Sequence, residues 1–475
     1  MDFSNLILNY VTDFANKVLF FNVTGSDKFQ LPFLIFWICS FGIYYSIRFK
    51  LINFTMFFTS IRLALSSKIN KRQLQKSSEY ELSSSRKILL TSIGEAIDVS
   101  AIFGVSLAVI VAGPGVLFWM FIGCFLGMPL KFIEISLGCM TRKFDHKNMK
   151  VIGGPQRYIQ VMFRVIKKRR LGSFVSKFFA ICVIISTLFS LQINQTIGIA
   201  RHILPSTVRG HEIIFSIILA IIVMFIIISG FKSITNIASR IVKVMSILYI
   251  STCASIIYKY SDNLIPSLNI IMTDAFSFKA ISGSLIFSAI TGIKRTFFSC
   301  DVGQGLSSLI HVNTINKNPI QEGIIAMSGL IFITMIAVFC SGLVVVITGT
   351  YLTTESPMDA VIFAFNSINP IMKYSLFVIV PMFALTTAAA WGYFGQSAWR
   401  FLFGNSKNSV IYYNILLFSA YIVCGCTEDF GTILNLADIF NFSISIPNLI
   451  AVSIGTKFVW ARFKKEMKNK RLLNA

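Results

Sequence analysis

The feature that most constrains this chain is a series of apolar runs, each about twenty residues long, separated by short polar or basic stretches. A helix needs about 20 apolar residues to cross a bilayer. In the hydrocarbon every backbone amide and carbonyl must be satisfied within the protein, so only helices or closed barrels cross. These runs are continuous and lack the two-residue alternation of a lipid-facing strand, which argues against a barrel. Eleven runs qualify, near residues 31–49, 88–112, 116–139, 174–194, 213–230, 241–258, 281–300, 324–350, 372–391, 410–426 and 439–461. The expected fold is an all-α polytopic membrane protein with about eleven transmembrane helices. Composition agrees, with 55% hydrophobic and 13% charged residues, where a soluble chain carries about a quarter charged.

The net charge is +23. The bases gather in "SSKINKRQLQKSSEYELSSSRK" after the first run, in the loop containing "RVIKKRRLG" after the third, and in the tail "RFKKEMKNKRLLNA". With eleven spans all three fall on one side, and basic loops stay cytoplasmic. This predicts a multi-pass protein of the plasma (inner) membrane, N-terminus outside and C-terminus cytoplasmic. Nucleic-acid binding would need the bases on one soluble module, and the sequence has none. Residues 1–30 read as an amphipathic segment at the membrane surface, without the basic leader of a secretory signal. Residues 31–87 hold the first span and a basic loop, and 462–475 a basic tail. The nine Cys lie mostly in apolar runs and the four His in expected loops. No metal cluster, Ser–His pair or phosphate-binding loop stands out, so neither an enzyme nor a resident cofactor is expected.

Two runs are unlike the rest. The second carries Ser92, Glu95, Asp98 and Ser100, and the seventh carries Gly292, Lys294, Arg295, Ser299, Cys300, Asp301 and Gly303. A carboxylate at the bilayer centre costs about 3 kcal/mol on insertion scales. Each of these runs begins a block of five spans, 88–258 and 281–461. Five is odd, so the blocks have opposite orientations, as in an inverted repeat. Interrupted helices at matching positions of two such halves mark a transporter's binding site. The alternative is that these polar groups only satisfy one another within the bundle.

"AGPGVLFWMFIGCFLGMPLKFIE", Ala112 to Glu134, resembles the alanine or glycine:cation symporter family. Gly113, Pro114, Gly115, Phe118, Trp119, Met120, Gly127, Met128, Lys131 and Glu134 match its pattern. "GGPQRYI" at Gly153, "GIKRTFFSCDVGQG", "WGYFGQSAWRFLFG" and "LADIFNFSISIPNLIA" resemble further motifs of that family, in order along nearly the whole chain. The resemblance implies a LeuT-like five-plus-five inverted repeat with one extra span before it. It implies inward symport of a small neutral amino acid, alanine or glycine, with sodium. Amino acid and ion would sit between the two broken helices.

The chain departs from the family where the ligands would bind. A Gly-Thr-Gly-Asn stretch reads Asp98-Val99-Ser100-Ala101, an Asn-Glu pair reads Cys300-Asp301, and Gln396 replaces a Glu. Three readings of Glu95 and Asp98 follow. They carry the driving cation, sodium or a proton, with Asp98 and Ser299 as oxygen donors. Or Asp98 faces the substrate's amino group. Or both neutralise Lys294 and Arg295 and bind nothing, as in a degenerate relative without transport or with altered coupling. Lys131 and Glu134 are expected to form a local ion pair, and Asp438 to cap the last span.

Overall fold

The computed structural model describes residues 21–22, 32–66, 80–97, 99–146, 149–204, 210–277, 284–427 and 430–468. The amphipathic segment expected over 1–30 falls almost wholly outside them. Three helices open the described chain, α1 (Phe33–Arg48), α2 (Ile52–Thr55) and α3 (Phe57–Ser66). The second run forms a broken helix, α4 (Ser85–Ala96) and α5 (Val99–Ala112), bent by 46° at the break. The turn Gly113-Pro114-Gly115 leads into α6 (Val116–Thr141), and an antiparallel hairpin, β1 (Lys143–Asp145) and β2 (Lys150–Ile152), leads to α7 (Pro155–Val165).

Next come α8 (Arg169–Leu188), α9 (Leu191–Ile203), α10 (Glu212–Ile228), α11 (Phe231–Lys259) and α12 (Leu264–Ala275). The seventh run forms α13 (Ser284–Ser299), which unwinds before α14 (Ser307–His311). α15 (Pro319–Phe332), a π-helical stretch Ile333–Phe339 and α16 (Cys340–Ile347) form the eighth. The chain ends with α17 (Pro357–Asn366), α18 (Lys373–Phe403), α19 (Lys407–Cys426) and α20 (Phe430–Lys468).

Within the described residues, each of the eleven runs lies mostly on helix. Among the described residues seven helices are long and apolar enough to cross a membrane, and the α4–α5 pair makes an eighth. α1, α10 and α13 have 16, 17 and 16 residues, at the lower limit for a span. Six described helices lie outside the runs: α2, α3, α7, α12, α14 and α17. α7 shows why, because beyond Pro155 and Gln156 of its first turn it buries only Tyr158, Ile159, Met162 and Phe163 along one stripe. A search for long apolar runs passes over such a helix. The fourth run is broken after Leu188, and α9 restarts at Leu191 with the buried Gln192, Asn194, Gln195 and Thr196. α20 begins at Phe430, so Asp438 lies inside a helix and cannot cap its start.

α6 is the axle of the bundle, packed against α1, α13 and α15. Small residues on it let neighbouring backbones approach, as membrane helices require when apolar burial does not distinguish partner from lipid. A Cβ on Gly123 would stand 3.2 Å from Ile293 Cα, and one on Gly127 2.8 Å from Val302. On α1, Gly42 faces α6 so closely that a Cβ there would stand 2.5 Å from the Leu126 carbonyl oxygen. Gly42→Val is therefore expected to cost about 1–3 kcal/mol through overpacking, read as a lower melting temperature of the purified protein. An unchanged melt would show that α1 yields freely.

Candidate functional site

The two breaks meet at the centre of the bundle and are built differently. The first, at Ile97, contains neither glycine nor proline. The carbonyls it frees are taken up from another helix: Thr387 Oγ1 of α18 donates to Gly94 O at 3.1 Å and approaches Ile97 O at 3.5 Å. The second break, Cys300 to Leu306, is local in origin. Gly303 and Gly305 adopt φ of +84° and +75°, and Asp301 reaches φ +48°. Left-handed backbone is routine for glycine and costs other residues about 1–2 kcal/mol.

A polar network holds this second turn. Lys131, 2% exposed, donates from Nζ to Cys300 O at 2.9 Å and to Ser307 Oγ. Asn448 Nδ2 donates to Gly303 O at 2.7 Å and to Glu134 Oε1 at 2.7 Å. The Tyr158 hydroxyl donates to Asn448 Oδ1. Lys131 and Glu134 thus form no ion pair with each other. Lys131 reaches the unwound turn directly, and Glu134 reaches it through Asn448. A short i,i+3 spacing permits a pair, but here the bare carbonyls of the turn compete for the ammonium and win.

Glu95 of α4 faces this turn. It is 1% exposed, and Ser307 Oγ donates to its Oε2 at 3.3 Å. Oε1 has no hydrogen-bond partner among the described residues, and the Glu95 carboxyl lies beside that of Asp301. The basic group beside Glu95 is Lys131, not Lys294 or Arg295. Two buried carboxyls in contact cannot both be ionised without a further positive charge, so the pair calls for a proton or a bound cation. A cavity of about 30 Å³ opens beside them, room for about two waters. Glu95, Ser299 and Asp301 line it together with Gln192, Phe298, Trp391, Tyr421 and Asn441. Ser186 donates to Asn441 Oδ1 across its wall.

The structure brings together Glu95, Ser299, Cys300, Asp301 and Gly303, with Ser92 buried on the same half-helix. Cys300 Sγ lies 3.8 Å from Thr334 Oγ1 of the π-helical stretch. Ala101 is buried on α5. Asp98 and the side chain of Ser100 lie outside the described residues. Gly292 is a packing position, since a Cβ there would stand 2.6 Å from Val116 O on α6. Arg295 lies against Gly104 of α5 and over the Phe298 ring, and Lys294 lies over Phe442. Gln396 is remote from this cavity and bonds Asn414 at 3.2 Å.

Sequence reasoning missed Tyr158, Thr387 and Asn448, which act on the breaks from distant helices. It also read His311 as a loop residue. His311 is fully buried on α14, with Nδ1 2.9 Å from Glu322 Oε1. Glu322 Oε2 accepts from Ser85 at 2.7 Å, which ties the first broken helix to the second.

Comparison with known proteins agrees with this architecture. The family model described as "Sodium:alanine symporter family" matches residues 17–473. The chain is 27% identical to the sodium/alanine symporter AgcS of Methanococcus maripaludis, covering 89% of this chain and 91% of that one. It is 25% identical to the probable sodium/glutamine symporter GlnT of Bacillus subtilis, over 98% and 92% of the two chains. The crystal structure of MhsT in complex with L-phenylalanine, a LeuT-type fold, superposes with a TM-score of 0.55 at 12% identity, covering 79% of this chain and 99% of that one. A family match over almost the full length makes this chain a membrane transporter of the sodium:alanine symporter family.

Proposed function

We propose that the chain is a secondary active transporter that moves a small neutral amino acid together with a monovalent cation, from an outside N-terminal face to a cytoplasm holding the C-terminus. In this reading residues 88–258 and 281–461 are the two inverted five-helix repeats, and the broken helices α4–α5 and α13–α14 lead them. The observation that carries it is the Glu95–Asp301 pair, buried between the two breaks with one oxygen unpartnered and a cavity beside it. A cation or proton bound there balances the surplus charge. The small cavity, walled by Phe298, Trp391 and Tyr421, argues against a large cargo. The relatives named for alanine and for glutamine support an amino acid as cargo. Loss of the family's Gly-Thr-Gly-Asn stretch favours an altered cation site, in which the acids take the coupling role.

The test is uptake of labelled alanine, glycine and glutamine into proteoliposomes under an inward sodium gradient or an inward proton gradient. Alanine or glycine uptake driven by either gradient is expected. No uptake of any of the three would point to a degenerate relative. Glu95→Gln is expected to raise the KM for the driving cation about tenfold, equal to about 1.4 kcal/mol, with a smaller change in the KM for alanine. An unchanged cation dependence would remove Glu95 from coupling.

A further inference from the structure

A second, much wider cavity, about 990 Å³, lies against the β1–β2 hairpin, away from Glu95. This is the face that the basic loops mark as cytoplasmic. Four basic side chains line it, Lys150, Arg157, Arg400 and Lys407, against the acids Glu81 and Asp145. Glu81 accepts the Phe231 N–H at 3.2 Å and also stands near Lys150 and Arg400, where it offsets part of their charge. The surplus of bases leaves the cavity positive.

Gln156 also lines this space. It is only 3% exposed, and neither Nε2 nor Oε1 has a hydrogen-bond partner among the described residues. A buried amide with both ends unpaired is costly, and a ligand that pairs them would remove that cost. Gln156 follows Pro155 in the first turn of α7, where the helix presents its partial positive charge. The buried Nε atoms of Arg157 and Arg400 lack partners as well. Burial and the neighbouring Arg400 guanidinium hold the Lys150 ammonium below the ordinary lysine range. Glu81 offsets part of that repulsion, and a bound anion between the two bases would offset more.

An inorganic anion would satisfy only the nitrogen of Gln156, whereas an amino acid satisfies both ends. We propose that this cavity holds a second site for a small amino-acid zwitterion, its carboxylate met by Arg400, the α7 N-terminus and Gln156 Nε2, and its ammonium met by Gln156 Oε1. The choice of ligand rests on the transport reading above. In that reading the site receives the amino acid as it leaves the central cavity and holds it before release.

The experiment is equilibrium dialysis of labelled alanine against the purified full chain in nanodiscs, repeated with Arg400→Gln, Gln156→Leu and Lys150→Gln. The wild type is expected to bind two alanines, and Arg400→Gln and Gln156→Leu one each, with melting temperatures showing that both fold. Lys150→Gln, at a half-buried hairpin position, keeps the test readable if the buried variants do not fold. It is expected to weaken the second alanine about fivefold. A wild type binding one alanine that Arg400→Gln abolishes would fail the central transport site and still support this one. Binding that all folded variants leave unchanged overturns the proposal. Labelled acetate supplies the last arm: acetate binding as tightly as alanine would overturn the zwitterion in favour of a free organic anion.

Discussion

Lys131→Met is expected to lower the stability of the protein by about 3–5 kcal/mol, the usual consequence of removing one partner from a buried charged cluster, and to abolish uptake. Lys131 is the ammonium that both Glu95 and Glu134 face. Its Nζ also bonds Cys300 O and Ser307 Oγ across the unwound turn. Methionine fits the volume and supplies neither charge nor donors. The turn then loses its tie to α6, and the acids lose their counter-charge. Thermal unfolding in detergent reads the first effect and proteoliposome uptake the second. Adding Glu95→Gln to Lys131→Met removes one of the stranded charges, so the double variant should recover part of the lost stability. Coupling of this sign is expected of groups in one network. A single variant that melts with the wild type would show that Lys131 does not hold the turn.

Gly305→Ala is expected to be nearly as damaging, at about 2–5 kcal/mol. The left-handed backbone costs an alanine about 1–2 kcal/mol, and overpacking adds about 1–3 kcal/mol. Gly305 has φ +75°, and a Cβ there would stand 2.3 Å from the Tyr158 hydroxyl and 2.7 Å from Asn448 Oδ1. The methyl therefore displaces the Tyr158–Asn448 bond, and with it the link from Asn448 to Glu134 and Gly303 O. Gly303→Ala is the control. Its φ is equally positive at +84°, but the nearest atom is the end of Ile38 at 3.3 Å, a flexible neighbour. It should show the backbone cost alone. Equal melting temperatures for the two variants would mean that the Tyr158–Asn448 contact contributes little.

How far the site could be read from residues depends on which break is considered. The second break was legible because its cause is local: two glycines within three residues, next to an acid, weaken a helix just past the end of an apolar run. Asp301 and Gly303 were therefore singled out together with Ser299 and Cys300. At the first break the same reasoning found Glu95 from its cost in a bilayer, but not its partner. Lys294 and Arg295 were the obvious counter-charges by sequence position on the facing span. The ammonium beside Glu95 instead comes from Lys131, whose i,i+3 neighbour Glu134 seemed the natural partner. Gln396 replaces a Glu of a family motif and lies at the second cavity with Asn414, because α18 is 31 residues long and passes both sites.

By itself the sequence determined that this chain is a bundle of membrane helices, roughly where each lies, and that the second and seventh runs come apart, but not that the fourth does. Those features follow from run length and backbone chemistry, and both are local. Only the tertiary structure decided which carboxyl meets which, that Thr387 takes the carbonyls of a break without glycine, and that Tyr158, Asn448 and Lys131 converge on one turn. Hydrogen bonds and charges act over a few ångströms in space, and residues far apart along the chain become neighbours only when helices pack.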